Sequence, residues 1–301
     1  MSASDSDRDK YITITDVNRA ARALDRKKTQ KHPQDEISIK LWLIDLRKEG
    51  ANTFCKDRLD QVPLGSRLEQ DLSILIIQTR FQSDAFQRLG NRFLGIDGTH
   101  NTTCYTGVQL ITLMARDSWG HSKQMNCDLD NWQLISDVSG VPVAWMLSSN
   151  IKSETIAYFL FLVRTWNPDV QPTQFMTDCD QAQISALQAI YPQSQVLLCK
   201  WHVLHAIQSH FQTDQFPELW TLLKKLVSTS DLAEFLTIWD KISTDQAFPK
   251  SFVEYFNSKW APVVHMWSGI SQKSWDIYSE GDTNMLLEGY VHFWSFSLSG
   301  I

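Results

Sequence analysis

The chain has 301 residues, of which 43% are hydrophobic and 11% aromatic, and its formal net charge is −6. This composition supports a packed core and excludes a chain that is disordered throughout. The apolar runs are far shorter than the roughly 20 residues that a membrane-spanning helix needs, so we predict no membrane span. The polar start MSASDSDRDK lacks the apolar stretch of a secretory signal, which predicts an intracellular protein.

The cysteines and the charge argue against a disulfide scaffold, an internal zinc finger and broad electrostatic wrapping of nucleic acid. Five cysteines stand at irregular spacing, at positions 55, 104, 127, 179 and 199. An odd number without a Cys-x-x-Cys pair predicts free thiols and argues against a disulfide scaffold or an internal zinc finger. The negative charge argues against broad electrostatic wrapping of nucleic acid, because affinity for phosphate comes mainly from clustered Lys and Arg.

The first part of the chain divides into a leader and a helical region. Residues 1–35 are polar and end in the basic run RKKTQKHPQ, which predicts a flexible leader. Across 36–90 the apolar residues recur at helical spacing. This pattern predicts a helical N-terminal region of two helices, joined by a Pro-Gly turn at 63–65.

Over 91–212 the pattern changes to an alternation of strands and helices. Three consecutive strands, antiparallel neighbours, are predicted at Phe93–Ile96, Val108–Ala115 and Val141–Leu147. A helix that begins with Ser153 as its cap and ends before Pro168 follows, then a strand at Gln174–Thr177, a helix at Gln181–Ile190, a strand at Gln195–Leu198 and a helix at Trp201–Phe211. This order predicts an α/β fold in which helices pack on a mixed sheet, as in an RNase H-like layer.

Residues 213–280 predict an all-helical insertion rich in tryptophan, namely Trp220, Trp239, Trp260, Trp267 and Trp275. Apolar neighbours accompany these side chains three and four residues away, so we expect them to form a core rather than a ligand site. Residues 281–301 predict a final helix that is cut short, because its continuation FWSFSLSGI is apolar and ends abruptly.

Three acidic residues suggest metal chemistry. Asp97, in FLGIDGTHNT, and Asp178, in FMTDCDQAQ, each follow a short apolar strand. If these strands are neighbours, both carboxylates enter one cleft, where like charges repel unless divalent cations lie between them. Glu288, in TNMLLEGYVHFW, is the best third ligand. Such an all-oxygen site predicts two Mg²⁺ or Mn²⁺ ions.

Four further residues are possible supporting groups. His100 is equally a contact to DNA phosphate, a contact to metal-bound water, or a plain turn residue. Asp180 competes with Asp178, which we favour because it directly ends the apolar strand. Cys199 and His202 lie three residues apart at a helix start, but two ligands leave a zinc site half empty, so packing or hydrogen bonding is the favoured role.

The segments IDGTHNTT, MTDCDQAQISALQAIYPQSQVLLCKWHVLHAI and TNMLLEGYVHF resemble the three blocks of the Mutator-like (MULE) transposase domain, over about residues 37–293. The resemblance implies an RNase H-like fold with a helical insertion before the last catalytic helix. It also implies that Asp97, Asp178 and Glu288 form the catalytic, metal-binding triad, and that Cys199 and His202 form the family's Cys-x-x-His pair.

The activity of the MULE transposases suggests what this chain does. Its members cleave double-stranded DNA at terminal inverted repeats by water attack and join the 3′-hydroxyl to target DNA. We therefore expect a nuclear protein that acts on DNA, as a homo-oligomer assembled on it.

The sequence departs from the family in two places. Residues 122–139 have no clean period and are either a gene-model error or a family insertion, and the final helix is cut short. An inactive fragment is therefore one reading. A domesticated, noncatalytic DNA-binding or regulatory protein is the main alternative. A nuclease acting on RNA–DNA hybrids is a third, which the helical insertion and the Cys-x-x-His pair oppose.

Overall fold

The computed structural model describes residues 30–99, 105–116 and 140–272, and within these ranges seven strands form one sheet with helices around it. The strands are β1 (Asn52–Lys56), β2 (Ile74–Gln78), β3 (Phe93–Thr99), β4 (Gln109–Arg116), β5 (Gly140–Ser148), β6 (Gln174–Thr177) and β7 (Gln195–Leu198). The helices are α1 (Asp35–Lys48), α2 (Arg80–Leu89), α3 (Ser153–Trp166), α4 (Gln181–Ile190), α5 (Lys200–Gln208), α6 (Pro217–Ser228), α7 (Leu232–Thr244), α8 (Lys250–Lys259), α9 (Val264–Trp267) and α10 (Gly269–Gln272).

The sheet is mixed, as predicted. Its strand order is β1-β2-β5-β4-β3-β6-β7. The pairs β1–β2, β2–β5, β5–β4 and β4–β3 are antiparallel. The pairs β3–β6 and β6–β7 are parallel. The parallel pairs need crossover connections, and helix α4 supplies the one between β6 and β7. No helix in the described ranges has both the length and the apolar character of a membrane span.

One face of the sheet carries the main core. The register places a set of side chains on this face that are completely buried, namely Ile76, Leu94, Ile96, Ile111, Leu113, Ala144 and Met146. Helices α3 and α4 cover the face: Tyr158 packs edge-on against Phe54 at 5.1 Å between ring centroids, and Thr177 donates to Gln183. The opposite face carries Asp97, because side chains alternate along a strand.

The two helices predicted over 36–90 are present as α1 and α2, but the prediction missed β1 and β2, which lie between them and extend the sheet beyond β5. Ile74 and Ile76 are buried and alternate with the half-buried Leu75 and Ile77, which is the two-residue period of a strand. A short apolar run fits either period until its neighbours are known. Helix α2 begins only after Thr79, which forms a capping box with Gln82.

The elements predicted from 93 to 208 are confirmed, with two corrections. Strand β3 does not end at Ile96 but continues to Thr99, so Asp97 lies inside the strand, opposite Thr112 of β4. The predicted cap Ser153 is instead the first helical residue of α3.

The helical insertion is confirmed from Pro217 to Gln272. Trp220, Trp260 and Trp267 are buried, and the half-buried Trp239 stacks on Phe256 at 4.7 Å. The expected core role of these tryptophans is therefore correct. The leader, residues 122–139, Trp275 and the final helix lie outside the described residues.

A buried polar network joins α3 to β2 and α2. Asn167, at the end of α3, is fully buried; its Nδ2 donates to Gln78 Oε1 at 2.9 Å and to the Val163 carbonyl at 2.7 Å. Its Oδ1 accepts from Ser83 Oγ at 3.1 Å and from Gln87 Nε2 at 3.3 Å. Each amide atom of Asn167 therefore has partners, as a buried polar side chain requires.

Replacing Asn167 should destabilise the fold. We expect Asn167→Ala to lower the free energy of unfolding by about 2 kcal/mol, because it leaves buried partners without hydrogen bonds. Urea denaturation measures the change. Thr165→Ala, which removes one exposed hydroxyl from the same helix, is the matched control and should cost much less. Equal losses in the two variants would contradict a special role for the network.

Candidate functional site

The two predicted aspartates lie on neighbouring strands. In the parallel β3–β6 pair, Leu94 lies opposite Phe175 and Gly95 opposite Met176. Continued by two residues, this register sets Asp97 beside Asp178, which directly follows β6. Adjacent strands are about 4.8 Å apart, and residues in register project to the same face. The expectation that the two strands are neighbours is therefore confirmed.

Asp97 lies in a half-buried position inside β3. Its Oδ1 accepts a hydrogen bond of 2.8 Å from the Gly98 N–H. On the other side, in β4, the opposing residue is Thr112, whose buried Oγ1 finds no hydrogen-bond partner in the described ranges. A buried hydroxyl usually has a hydrogen-bond partner. A bound water or ligand next to Asp97 could supply the hydrogen bond that this hydroxyl lacks.

Asp178 is half-buried, and burial raises the pKa of its carboxyl above the usual range. The imidazole of His202 opposes this shift, whereas the nearby Asp180 adds to it. Burial also lowers the pKa of His202, which Asp178 counteracts. The Nδ1 atom of His202 is buried and has no hydrogen-bond partner among the residues that the structure describes. The attraction between the carboxylate and the imidazole therefore offsets the cost of their burial only in part.

Asp180 has a structural task instead of the second acidic role. It is the N-cap of α4, where its Oδ1 accepts a 2.7 Å hydrogen bond from the Ala182 N–H. A cap of this kind satisfies one of the free amides at a helix start. Because the cap hydrogen bond directs this carboxylate toward the helix, Asp178 is the better candidate of the two.

Cys199 and His202 lie together at the start of α5. Cys199 is the N-cap, its side chain is fully buried, and its N–H donates to the Thr177 carbonyl at 2.9 Å. Over the described ranges, no three His, Cys, Asp or Glu side chains come close enough to form a metal site. The complete burial of Cys199 agrees with a packing role for its side chain.

The Cys179 thiol is protonated at neutral pH. Burial, with contributions from Asp178 and Cys199, raises its pKa to about 12. Cys55, Cys179 and Cys199 are not joined in disulfides. Neutral thiols of this kind behave as small apolar groups rather than nucleophiles.

Three further side chains near Asp178 were not found by sequence reasoning. Trp201 meets His202 edge-on, with ring centroids 4.8 Å apart, and stacks on His205 at 5.0 Å with the rings 4° from parallel. Lys259, at the end of α8, lies close enough to Cys179 to lower its pKa. The adjacency of Trp201 to His202 was a usable signal, whereas nothing local in the sequence brings Lys259 to this place.

The donor set of Asp97 and Asp178 fits a hard divalent cation. Mg²⁺ is commonly held by one or two protein carboxylates together with phosphate oxygens of a substrate. Two aspartates on adjacent strands provide that number, and the desolvated Asp178 would be stabilised by a cation. Glu288 and His100 lie outside the described residues, so their parts in the site stay predictions.

The family described as zinc finger SWIM domain-containing protein 1/3, RNaseH-like domain, matches residues 52–197, just under half of the chain. A search of curated proteins finds no match. The matched range begins with the first residue of β1 and includes almost the whole sheet. Together with the mixed seven-stranded sheet and its flanking helices, the match shows an RNase H-like α/β fold. It does not single out the MULE transposases among proteins with this fold.

The burial of Asp178 leads to a stability prediction. We expect Asp178→Asn to raise the urea midpoint of the metal-free protein, because the ionised carboxylate is held where burial disfavours charge. A carboxyl whose pKa is raised in the folded state weakens the fold once it ionises. The advantage of the variant should therefore be absent at a pH well below 3.8 and grow as the pH rises through the raised pKa.

The matched control is Asp169→Asn, which makes the same charge change at an exposed position before β6. An exposed charge contributes little to stability, so this variant should have a midpoint close to that of the wild type. If Asp178→Asn is instead less stable than the wild type in EDTA over the whole pH range, the account of a desolvated carboxylate is incorrect.

Proposed function

We propose that this chain carries the catalytic core of a DNA transposase of the Mutator-like type, which cleaves and joins DNA strands by metal-dependent phosphoryl transfer. The observation that supports the proposal is the parallel pairing of β3 with β6, whose register, if continued by two residues beyond Gly95 and Met176, brings Asp97 next to Asp178. The RNase H-like fold and the resemblance of the segments around both aspartates support it.

The chain's own residues would divide the work as follows. Asp97 and Asp178 hold the divalent cations, with Glu288 as the proposed third ligand. His202 interacts electrostatically with Asp178 and would favour its ionised form. Bound Mg²⁺ or Mn²⁺, proposed as two ions, supplies an activated water or hydroxyl nucleophile and stabilises the leaving 3′-oxygen.

The proposed substrate is double-stranded DNA, at the terminal inverted repeats of an element and at its target. The exposed Lys259, in electrostatic range of Cys179, is a suitable contact for a phosphate near the aspartates. The net charge of −6 makes a second copy or another domain the natural source of further DNA affinity. A homo-oligomer on DNA, in the nucleus, is therefore part of the proposal.

One observation favours a second candidate, a transposase-derived DNA-binding or regulatory protein without catalysis. His202 already offers Asp178 an electrostatic partner, which partly offsets the cost of burying the carboxylate in the absence of a cation. A site maintained by that pair alone would keep its shape without holding metal. The two candidates differ in a measurable way, because only the first requires cleavage.

The decisive experiment is a cleavage assay with the full chain on duplexes that carry the inverted repeats flanking its gene. We expect strand cleavage in Mg²⁺ or Mn²⁺ and none in EDTA. Asp97→Asn and Asp178→Asn should each lower the rate by roughly a hundredfold or more, because a catalytic metal contributes several kcal/mol to transition-state stabilisation. Asp169→Asn removes the same charge from an exposed position before β6 and should cleave like the wild type.

The same assay separates the alternatives. Binding of the duplex without cleavage in either metal would favour the noncatalytic protein. Preferential cleavage of an RNA–DNA hybrid over the DNA duplex would instead indicate a hybrid-specific nuclease. Cleavage that survives both aspartate substitutions would remove the site described here from the mechanism.

A further inference from the structure

Two planar side chains form a stacked pair at the start of α5. The rings of Trp201 and His205 are 5.0 Å apart between centroids and almost parallel, at 4°. They lie one helical turn apart, so the helix itself holds them on one side. Trp201 is half-buried and His205 is exposed, so the Trp201–His205 stack is open to solvent along part of its surface.

The Trp201–His205 stack is one side chain away from the candidate site. The edge of the Trp201 ring meets the ring of His202 at 4.8 Å, nearly perpendicular to it. Strands β6 and β7 end side by side, with Thr177 opposite Leu198, so Asp178 and the first turn of α5 follow at the same edge of the sheet. His202, Trp201 and His205 therefore form a path of side chains from this edge to the surface.

The chemistry of this path suits a nucleobase. Aromatic rings stack on bases of any sequence, because every base has a π-face. The carboxylates beside the path repel a phosphate, unless cations neutralise them, but do not repel an uncharged base.

We propose that the Trp201–His205 stack binds an unpaired base of the DNA strand beside the scissile phosphate. The inference rests on the proposed function, because it assumes that DNA reaches the aspartates. It adds a contact that the metal-binding residues do not provide. In this arrangement the stack positions the strand, while Asp97 and Asp178 act on its phosphate.

The test uses the full chain and a fluorescein-labelled, mixed-sequence single-stranded oligonucleotide, followed by fluorescence anisotropy in Ca²⁺. Loss of one aromatic stacking contact lowers affinity by roughly tenfold, so we expect about that loss for Trp201→Leu. Trp201→Phe retains an aromatic ring and should recover most of the affinity. Phe161→Leu removes an exposed aromatic side chain from α3, which packs against Tyr158, and should bind like the wild type.

A second probe distinguishes stacking from a loss of folding. An oligonucleotide of the same length in which abasic sites replace the bases offers phosphates but nothing to stack on. The wild type should bind it more weakly than the ordinary strand, and Trp201→Leu should discriminate between the two much less. Urea denaturation of each variant reports its fold, and His205→Ala tests the other half of the stack if Trp201→Leu does not fold.

The outcomes separate this inference from the function on which it rests. If the wild type binds and cleaves DNA but Trp201→Leu and His205→Ala bind both strands as the wild type does, the stacking site is absent and the proposed function stands. If Phe161→Leu loses as much affinity as Trp201→Leu, the effect is not local and the inference fails. If the wild type binds neither the single strand nor the duplex, the proposed function and the inference fail together.

Discussion

The parallel pairing of β3 with β6 is the constraint on which the candidate site depends. A register shift of one residue would turn one aspartate to the opposite face of the sheet, because side chains alternate along a strand. Buried side chains oppose such a shift, since Leu94 and Phe175 lie opposite each other and are completely buried. Backbone hydrogen bonds before the strands, from Thr173 to the Asn91 carbonyl and from Gln174 to that of Arg92, hold the same alignment.

The position of Asp178 next to the end of β6 has an electrostatic cost, because its carboxylate is partly removed from water. A carboxylate in a desolvated place is costly unless a proton, a cation or a neighbouring positive group stabilises it. The fold keeps Asp178 there and adds His202 close to it, although Asp180 carries a second negative charge nearby. An arrangement that is unfavourable for stability but specific in its geometry is typical of a functional site.

Some residues of the candidate site lie inside the range that matches the RNaseH-like domain, and others lie after it. The similarity to the RNaseH-like domain ends at residue 197, whereas Cys199, Trp201 and His202 follow directly after it. Lys259 comes from α8 in the helical insertion and lies near Cys179. The helical insertion also builds its own aromatic core around Trp260 and Trp267.

What the sequence determined by itself is local. Three elements have the predicted bounds: the strand at Gln174–Thr177, the helix at Gln181–Ile190 and the strand at Gln195–Leu198. Their hydrophobic periods and their capping residues depend on only a few consecutive residues. Asp97 and Asp178 were recognisable for the same reason, each beside a short apolar run. Only the tertiary structure decided that 74–78 is a strand, since that short apolar run became unambiguous only when paired with β5. It also decided that Asp180 caps a helix, and it brought Lys259 to Cys179, because hydrogen bonds and contacts between distant segments form only when the chain packs.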